Sequence, residues 1–204
     1  MEVLITSKTQ WSNKYCIGAL EILTGEYVRL LTSTGGYQPN NSPLQIGDIW
    51  DLDYIPDPDR SPHIEDVRVV RRNGFVRNIG NLSQYIIGNC DVWRGDYQSI
   101  FDNNLRWTFN GSGYLNSSCN MPTNSVGFWI SDQDLELDTI NGKLYYVYRR
   151  GLLRTDIKLP YKGVGAPIQV IPQGTLIRIS LAKWFVPRDI NIEERCYAQL
   201  SGFY

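Results

Sequence analysis

Short runs in which hydrophobic and polar residues alternate recur along the first half of the chain. A period of two is typical of β-strands, and these runs are rich in Val, Ile, Tyr and Thr, which favour strands. The predicted strands are VLITSKT (3–9), KYCIGALEIL (14–23), YVRLLT (27–32), DIWDLDYI (48–55) and EDVRVVRRNGFV (65–76). Thr24 and Gly25 predict a hairpin turn between the second and the third of them.

Two segments in the middle of the chain have helical spacing instead. NLSQYIIGN (81–89) begins with Asn81, a suitable N-cap, and its apolar residues recur at the spacing of one helix face. GDYQSIFDNN (95–104) follows the same logic, with an apolar stripe of Tyr97, Ile100 and Phe101. We therefore predict two short helices.

Strand-like runs resume after about residue 105. They are SVGFWIS (125–131), KLYYVYRR (143–150), LRTDIKLPY (153–161), TLIRISLAKWFV (175–186) and RCYAQLSGF (195–203), and Asn141-Gly142 predicts a hairpin before the second. Five short strands in each half fit two small barrels better than one sandwich, which remains the alternative. We predict an all-β fold with minor helix: an N-terminal barrel at 1–95 and a C-terminal barrel at 96–204, joined by a short helical segment.

Composition limits the expected partners, metal sites and cellular compartment of the protein without assigning a function. The chain has 204 residues and a net charge of -1, so no overall attraction to nucleic acid or membrane follows. Four cysteines without close spacing and a single histidine argue against a zinc site. The N-terminal sequence lacks a signal-peptide pattern, and no apolar stretch is long enough to span a bilayer. We expect a cytoplasmic protein with reduced thiols and no membrane partner.

The closing segment, RISLAKWFVPRDINIEERCYAQLSGFY (178–204), resembles the closing motif of the dual OB-containing domain family of prokaryotic proteins. KTQWSNKYCIGALEILTGEYVRLL and QIGDIWDLDYIPDPDRSPHIEDV are similar to the N-terminal barrel of that family. The motif departs mildly at Trp184-Phe185, where two tryptophans are expected. The resemblance implies two tandem OB barrels, membership of bacterial conflict or defence systems, and sensing of nucleic acid or nucleotides.

In a two-barrel chain the final strand can close the second barrel by pairing along both edges. Cys196, Ala198 and Leu200 then alternate with Arg195, Tyr197 and Gln199, so that small apolar residues face the interior. This explains why an apolar pattern continues to the end of the printed sequence.

The first functional hypothesis is a binding module without catalysis or cofactor. Its ligand is single-stranded nucleic acid or a nucleotide, held by stacking and phosphate pairing. The expected contacts are Lys8, Trp11, Arg29, His63, Arg178, Lys183, Trp184 and Arg195. Alternatively, the basic side chains near the C-terminus (Arg178, Lys183 and Arg195) form ion pairs with Glu193 and Glu194 near the surface and do not bind a ligand.

Two stretches are locally basic. One contains Arg68, Arg71, Arg72, Arg77 and Arg94, and the other contains Lys143, Arg149, Arg150, Arg154, Lys158 and Lys162. Tyrosines interleave with the second, as a groove for a single strand requires. The alternative is that Tyr145 and Val147 face the core while Tyr146, Tyr148 and Arg150 lie on a solvated face.

Two further hypotheses belong to other classes. His63, Glu65 and Asp66, or the carboxylates of DQDLELD (132–138), could serve a metal-dependent nuclease or phosphohydrolase. No nucleophile elbow and no P-loop accompanies them, and we assign no catalytic or metal-binding residue. The third hypothesis is a subunit that regulates a neighbouring effector protein through the acidic face of 132–138.

Overall fold

The computed structural model describes residues 1–186 and 193–204, so part of the closing motif, 187–192, lies outside the described residues. The chain is mostly β, with 49% strand and 6% helix, which confirms the predicted fold class. Its Cα positions divide it into two compact units, Met1–Asp91 with Thr123–Ser125, and Val92–Pro122 with Val126–Tyr204. The domain boundary at residue 95 stays a prediction.

The first unit is a closed five-stranded barrel. Its strands are β1 (Glu2–Trp11), β2 (Lys14–Glu21), β3 (Tyr27–Leu31), the two-residue β4 (Gln38–Pro39), β5 (Asp48–Pro56) and β6 (Asp66–Asn78). Ladders join β1 to β2, β2 to β3, β3 to β6, β6 to β5, and β5 back to β1, and β4 adds to the end of β2. Only the β3–β6 ladder is parallel, and it comprises three residue pairs, Arg29–Asp66, Leu30–Val67 and Leu31–Arg68.

Alternation along these strands fills the barrel. The core of this unit contains Val3, Ile5, Ile17, Ala19, Val28, Leu30, Leu44, Leu52, Val67 and Val69. Gly25, at φ +73°, accepts the left-handed conformation of the predicted hairpin turn, which is confirmed. The predicted helix α1 (Leu82–Asn89) follows, and the Asn81 side chain accepts a hydrogen bond from the Gln84 amide as its cap. Nothing helical in the described parts of the chain is long and apolar enough to cross a bilayer.

The second unit contains two sheets that form a half-barrel. Its strands are β7 (Val92–Gly95), β8 (Arg106–Trp107), β9 (Gly113–Leu115), β10 (Val126–Ser131), β11 (Leu135–Ile140), β12 (Lys143–Tyr148), β13 (Ile157–Pro160), β14 (Val170–Ile171), β15 (Leu176–Leu181) and β16 (Cys196–Phe203). One sheet has the order β7-β10-β15-β16-β9-β8 and the other has the order β13-β12-β11-β14.

Strand β16 joins both sheets, as the sequence predicts. One of its edges pairs with β15, and the other pairs with β9 and forms a parallel bridge from Leu200 to Tyr161, next to β13. We count β10 and β11 as one interrupted strand. This strand then pairs with β12, β12 with β13, β15 with β16, and β15 back with β10, which is the pairing order of the first barrel. The parallel bridge from Tyr161 to Leu200, between the end of β13 and β16, corresponds to the parallel ladder between β3 and β6. Cys196, Ala198 and Leu200 are buried in the core, as expected.

The predicted helix at 95–104 is wrong, since only the 3₁₀ turn Tyr97–Ser99 forms there. Phe101, Asp102 and Asn103 have φ angles of +52°, +55° and +62°, so three consecutive residues are left-handed and no α-helix can continue. Tyr97, Ile100 and Phe101 nevertheless enter the core. The apolar spacing therefore indicates which residues are buried without fixing the backbone conformation.

Gly111 marks a close approach between two loops of the second unit. A Cβ atom at this position would lie 1.9 Å from the carbonyl oxygen of Asp156, and φ is +83°. We expect Gly111→Ala to cost about 1–2 kcal/mol for the left-handed backbone and a further 1–3 kcal/mol or so for the clash. Gly174→Ala is the matched control, because Gly174 has the same φ and no atom within 4 Å. Urea unfolding measures both, and equal losses would contradict the close approach.

The pairing of β16 along both edges makes Leu200 a test of the second core. Leu200 is fully buried between the two sheets, whereas its neighbour Gln199 is half-buried and donates to the Ser180 hydroxyl. We expect Leu200→Ala to lower the free energy of unfolding by about 2–5 kcal/mol, and Gln199→Ala by about 1 kcal/mol. Thermal unfolding of both variants provides the measurement, and an unchanged melting temperature for Leu200→Ala would show that β16 does not seal this core.

Candidate nucleic-acid interface

The C-terminal half of β6 is the most open part of the first barrel. One edge of β6 pairs with β5 along its length, but the other edge pairs with β3 only as far as Arg68. From Val70 to Asn78 every residue is exposed except Gly74, which is half-buried. Among the described residues no strand covers this second edge, so its backbone groups face solvent.

Three β-bulges shape this exposed half. The register with β5 skips Val70, Asn73 and Val76, each of which is an extra residue on β6. Bulges increase the twist and redirect side chains, and they make an open edge a poor template for indiscriminate strand pairing. The edge is therefore suited to presenting side chains.

The side chains presented are basic and aromatic. Arg71, Arg72, Phe75 and Arg77 are exposed, and we call these four residues the arginine strip. Phe75 is 54% exposed and meets the Trp50 ring edge-on, with 6.0 Å between centroids. The sequence marks this stretch as basic without placing it among the expected contacts. The length of β6 is the signal that could have identified this site. The strand has 13 residues, and β3 pairs with only three of them, so most of one edge of β6 is left unpaired by β3.

Gln38 connects the strip to the barrel. Its side-chain nitrogen donates to the carbonyl of Leu30 at 3.1 Å, and its oxygen accepts from Arg72 at 2.7 Å. Arg72 lies opposite Leu52 of the core, so its side chain is on the inward side of the sheet. Gln38 is fully buried and fills the space that opens where the β3–β6 ladder ends.

Lys8 also lies on the inward side. It pairs with Ile17 of the core, its ammonium lies 4.9 Å from the centre of the Tyr15 ring, and it donates to Gln45. Burial lowers the pKa of Lys8, and Asp48 opposes that shift.

Trp11 lies at the opposite face, beside the β1–β2 turn. Its side chain is 67% exposed and meets the Tyr37 ring edge-on at 6.2 Å between centroids. In OB barrels the face of the second and third strands, with the loops after the first and fourth strands, binds oligonucleotides and oligosaccharides. Trp11 has the position of the first of these loops, and Tyr37 was missed by sequence reasoning because it lies in a turn-rich segment.

Arg29 faces the same outer side but is buried, with 7% of its surface exposed. Its Nε donates to the Asp66 carboxylate, and one of its terminal nitrogens lies 3.9 Å from Glu65. Burial alone would lower the pKa of Arg29, but Cys16, Asp66 and Glu65 outweigh it, and the net shift is upward. The charge of Arg29 is thus matched by carboxylates of its own unit.

His63 belongs to the loop between β5 and β6 and is fully buried. Its backbone amide donates to Arg60, and its carbonyl accepts from the Asp59 amide. Nearby Glu65 accepts a hydrogen bond from the Ser125 hydroxyl. The residues proposed for hydrolysis in this segment therefore hold the loop together.

The remaining expected contacts lie in the second unit. Arg178 is buried and donates to the Ser201 hydroxyl at 2.9 Å. Burial raises the pKa of the neighbouring Tyr204 to about 12, while Arg178 acts to lower it. Lys183 is half-buried, and Trp184 packs against the core.

Arg195 stacks on an aromatic ring. Its guanidinium carbon lies 3.9 Å from the centre of the Tyr114 ring, and a terminal nitrogen lies 3.8 Å from Glu193. The contact with Glu193 agrees with the alternative in which this arginine pairs with a neighbouring carboxylate, and its role in binding an anion stays a prediction. The structure does not bring the expected contacts of this unit to a single exposed surface, because Arg178 is buried and Trp184 packs inward.

The second basic stretch does not expose its tyrosines. Tyr146 and Tyr148 are buried in the core, and Tyr161 packs against it. The alternative interpretation, which puts Tyr146 and Tyr148 on a solvated face, is therefore wrong, because these two side chains face the core. Base stacking on this strand would have to use other residues.

Three of the carboxylates at 132–138 each contact a different group of the protein. Asp132 accepts from the Tyr148 hydroxyl, Asp134 from the Gln173 amide, and Glu136 pairs with Arg149. Across residues 1–186 and 193–204, no group of three or more metal-ligating side chains occurs.

A comparison with protein families finds a match over nearly the whole chain. The family model described as "DuOB: Dual OB-containing domain" matches residues 1–203. Searches of curated proteins and of solved structures find no match.

The buried pair of Arg29 and Asp66 can be tested by stability. Asp66→Asn leaves a buried guanidinium without its hydrogen-bonded carboxylate, and we expect a loss of about 3 kcal/mol. The control is Asp57→Asn, which breaks the half-exposed pair with Arg68 at 3.0 Å and should cost less than about 1 kcal/mol. Urea unfolding distinguishes the two, and equal costs would indicate that Arg29 is solvated.

Proposed function

The chain belongs to the dual OB-containing domain family, and from this premise we propose that its first barrel binds single-stranded nucleic acid along the arginine strip. OB barrels are a fold on which oligonucleotides bind, and proteins that hold single strands combine a basic track with aromatic rings.

The observation that carries the proposal is that one open strand exposes Arg72 and Phe75 on the inward side of the sheet and Arg71 and Arg77 on its other side. Guanidinium groups match phosphate geometry, and an exposed ring offers a face on which any base can stack. The strip lies outside the buried ion pair of Arg29, and Arg72 donates to the neutral Gln38 side chain, which leaves its positive charge uncancelled.

The length of the strip favours an oligonucleotide over a mononucleotide. At about 3.3 Å per residue, the strand from Arg71 to Arg77 extends roughly 20 Å. A single nucleotide would contact only part of this length, whereas a short single strand can follow it.

The residues expected from sequence have different parts in this proposal. Trp11, exposed beside the first turn, remains a proposed ligand contact, whereas Lys8 is buried at the inward side of the barrel and is engaged by Tyr15 and Gln45. Arg29, His63 and Arg178 support the fold from buried positions. Lys183 and Arg195 remain proposed contacts of the second unit, with Arg195 held against Tyr114, whereas Trp184 packs against the core.

The biological setting is part of the same proposal. The resemblance of the closing motif supports a sensing role in a prokaryotic defence system, without catalysis by this chain. The engagement of Glu65 and Asp66 in the fold is what favours binding over hydrolysis.

The test is fluorescence anisotropy with labelled single-stranded DNA and RNA at two salt concentrations. We expect Arg71→Gln/Arg77→Gln to weaken binding and to reduce the slope of log K against log salt by about 0.7 for each phosphate that the variant no longer neutralises. Phe75→Leu should weaken binding by about 1 kcal/mol or more at either salt concentration, because the aromatic face for base stacking is removed.

The control variant is Lys143→Gln/Lys162→Gln, which makes the same charge change at exposed positions of the second unit. It should bind nearly as the wild type does. Absence of binding by the wild type, or an equal weakening in the control, would contradict the assignment to the strip.

A further inference from the structure

The second unit exposes three large apolar side chains that the proposed binding does not use. Phe109 is 91% exposed, Leu152 105% and Leu153 98%, which is far from the buried positions such residues usually occupy. Phe109 lies between β8 and β9, and the two leucines lie between β12 and β13. We call these three residues the apolar tip.

The two loops adjoin one another. The Lys158 amide donates to the carbonyl of Gly111 at 2.9 Å, and Gly111 lies so close to Asp156 that no Cβ could fit between them. The apolar tip is therefore carried by two connected loops of one surface.

The base of the longer loop is anchored. Arg149 forms ion pairs with Glu136 at 2.6 Å and with Asp156 at 2.8 Å. The Arg150 guanidinium lies 4.9 Å from the centre of the Tyr97 ring, and its amide donates to Asp156. These contacts fix the ends of the loop and leave the leucines between them in solvent.

Basic side chains flank the leucines. Of the three arginines in residues 149–156, Arg149 pairs with Glu136 and Asp156, so the positive charge of this loop comes from Arg150 and Arg154. Arg154 is exposed directly beside Leu153. Exposed apolar groups together with basic residues are the two signals that peripheral proteins combine to hold an anionic bilayer, where either signal alone is marginal.

We propose that the apolar tip inserts into the surface of a membrane that contains anionic lipid. The tip presents highly exposed apolar side chains from two connected loops, which suits a fluid surface, and the arginines complement the lipid headgroups. This is a peripheral contact by loops, and it departs from our expectation of no membrane partner.

The experiment is co-sedimentation of the full chain with two kinds of vesicle, phosphatidylcholine alone and phosphatidylcholine mixed with phosphatidylserine. We expect binding to the mixed vesicles only. Leu152→Ser/Leu153→Ser should weaken it by more than about tenfold, since two apolar side chains no longer insert. Arg154→Gln should weaken it roughly fivefold and make it less sensitive to salt.

Two controls separate this proposal from others. Leu23→Ser removes a leucine that is 91% exposed at the β2–β3 hairpin of the first unit, and it should leave vesicle binding unchanged. Arg71→Gln/Arg77→Gln should also sediment normally. The double leucine variant should keep the wild-type melting temperature, which shows that it is folded, and it should keep its oligonucleotide affinity. Failure of vesicle binding and failure of oligonucleotide binding are thus distinguished from each other.

Three results would overturn the proposal. The wild type could fail to sediment with phosphatidylserine vesicles, or the double leucine variant could sediment as well as the wild type. Light scattering could instead show that the wild type is a dimer without vesicle binding and that the leucine variant is a monomer, in which case the tip is a contact between copies of the chain.

Discussion

The parallel ladder between β3 and β6 is the constraint on which the first barrel depends. Three residue pairs close the ring, and the first of them joins Arg29 to Asp66, whose side chains also form a buried ion pair. An unpaired charge at this depth would cost several kcal/mol, so the two residues must be placed together. Because the ladder is short, closing the barrel also determines where β6 becomes open.

The open half of β6 follows from that geometry. Beyond Arg68 the neighbouring position is occupied by the Gln38 side chain, which satisfies the carbonyl of Leu30 and holds Arg72. The strand then continues with one edge paired and three bulges, so that its basic and aromatic residues meet solvent. Closure and exposure are consequences of one strand being longer than its partner.

Much of the fold could be predicted from residue pattern. Alternation and turn residues identified the principal strands, the hairpin at Gly25 and the pairing of β16 along both edges, because these are local signals that the core reinforces. The helix at 95–104 was mispredicted because apolar spacing does not fix the backbone. The arginines show the larger limit: Arg29 and Arg71 look alike in sequence, but a carboxylate 37 residues away neutralises the first, and only the folded strand order brings it there.

The second unit shows that strand order alone does not determine what a barrel presents. Its strands pair in the same order as those of the first unit. Where the first unit has the three-pair ladder between β3 and β6, however, the second has one bridge, between Tyr161 beside β13 and Leu200 of β16. Two tyrosines of β12, Tyr146 and Tyr148, are buried in the core and cannot serve as a stacking surface. The most exposed apolar side chains of this unit therefore lie in its loops. The connection between β12 and β13 carries two exposed leucines, whereas the corresponding connection of the first barrel, between β2 and β3, is the tight turn at Gly25. A duplicated architecture can in this way carry two chemically distinct surfaces, one basic and one apolar.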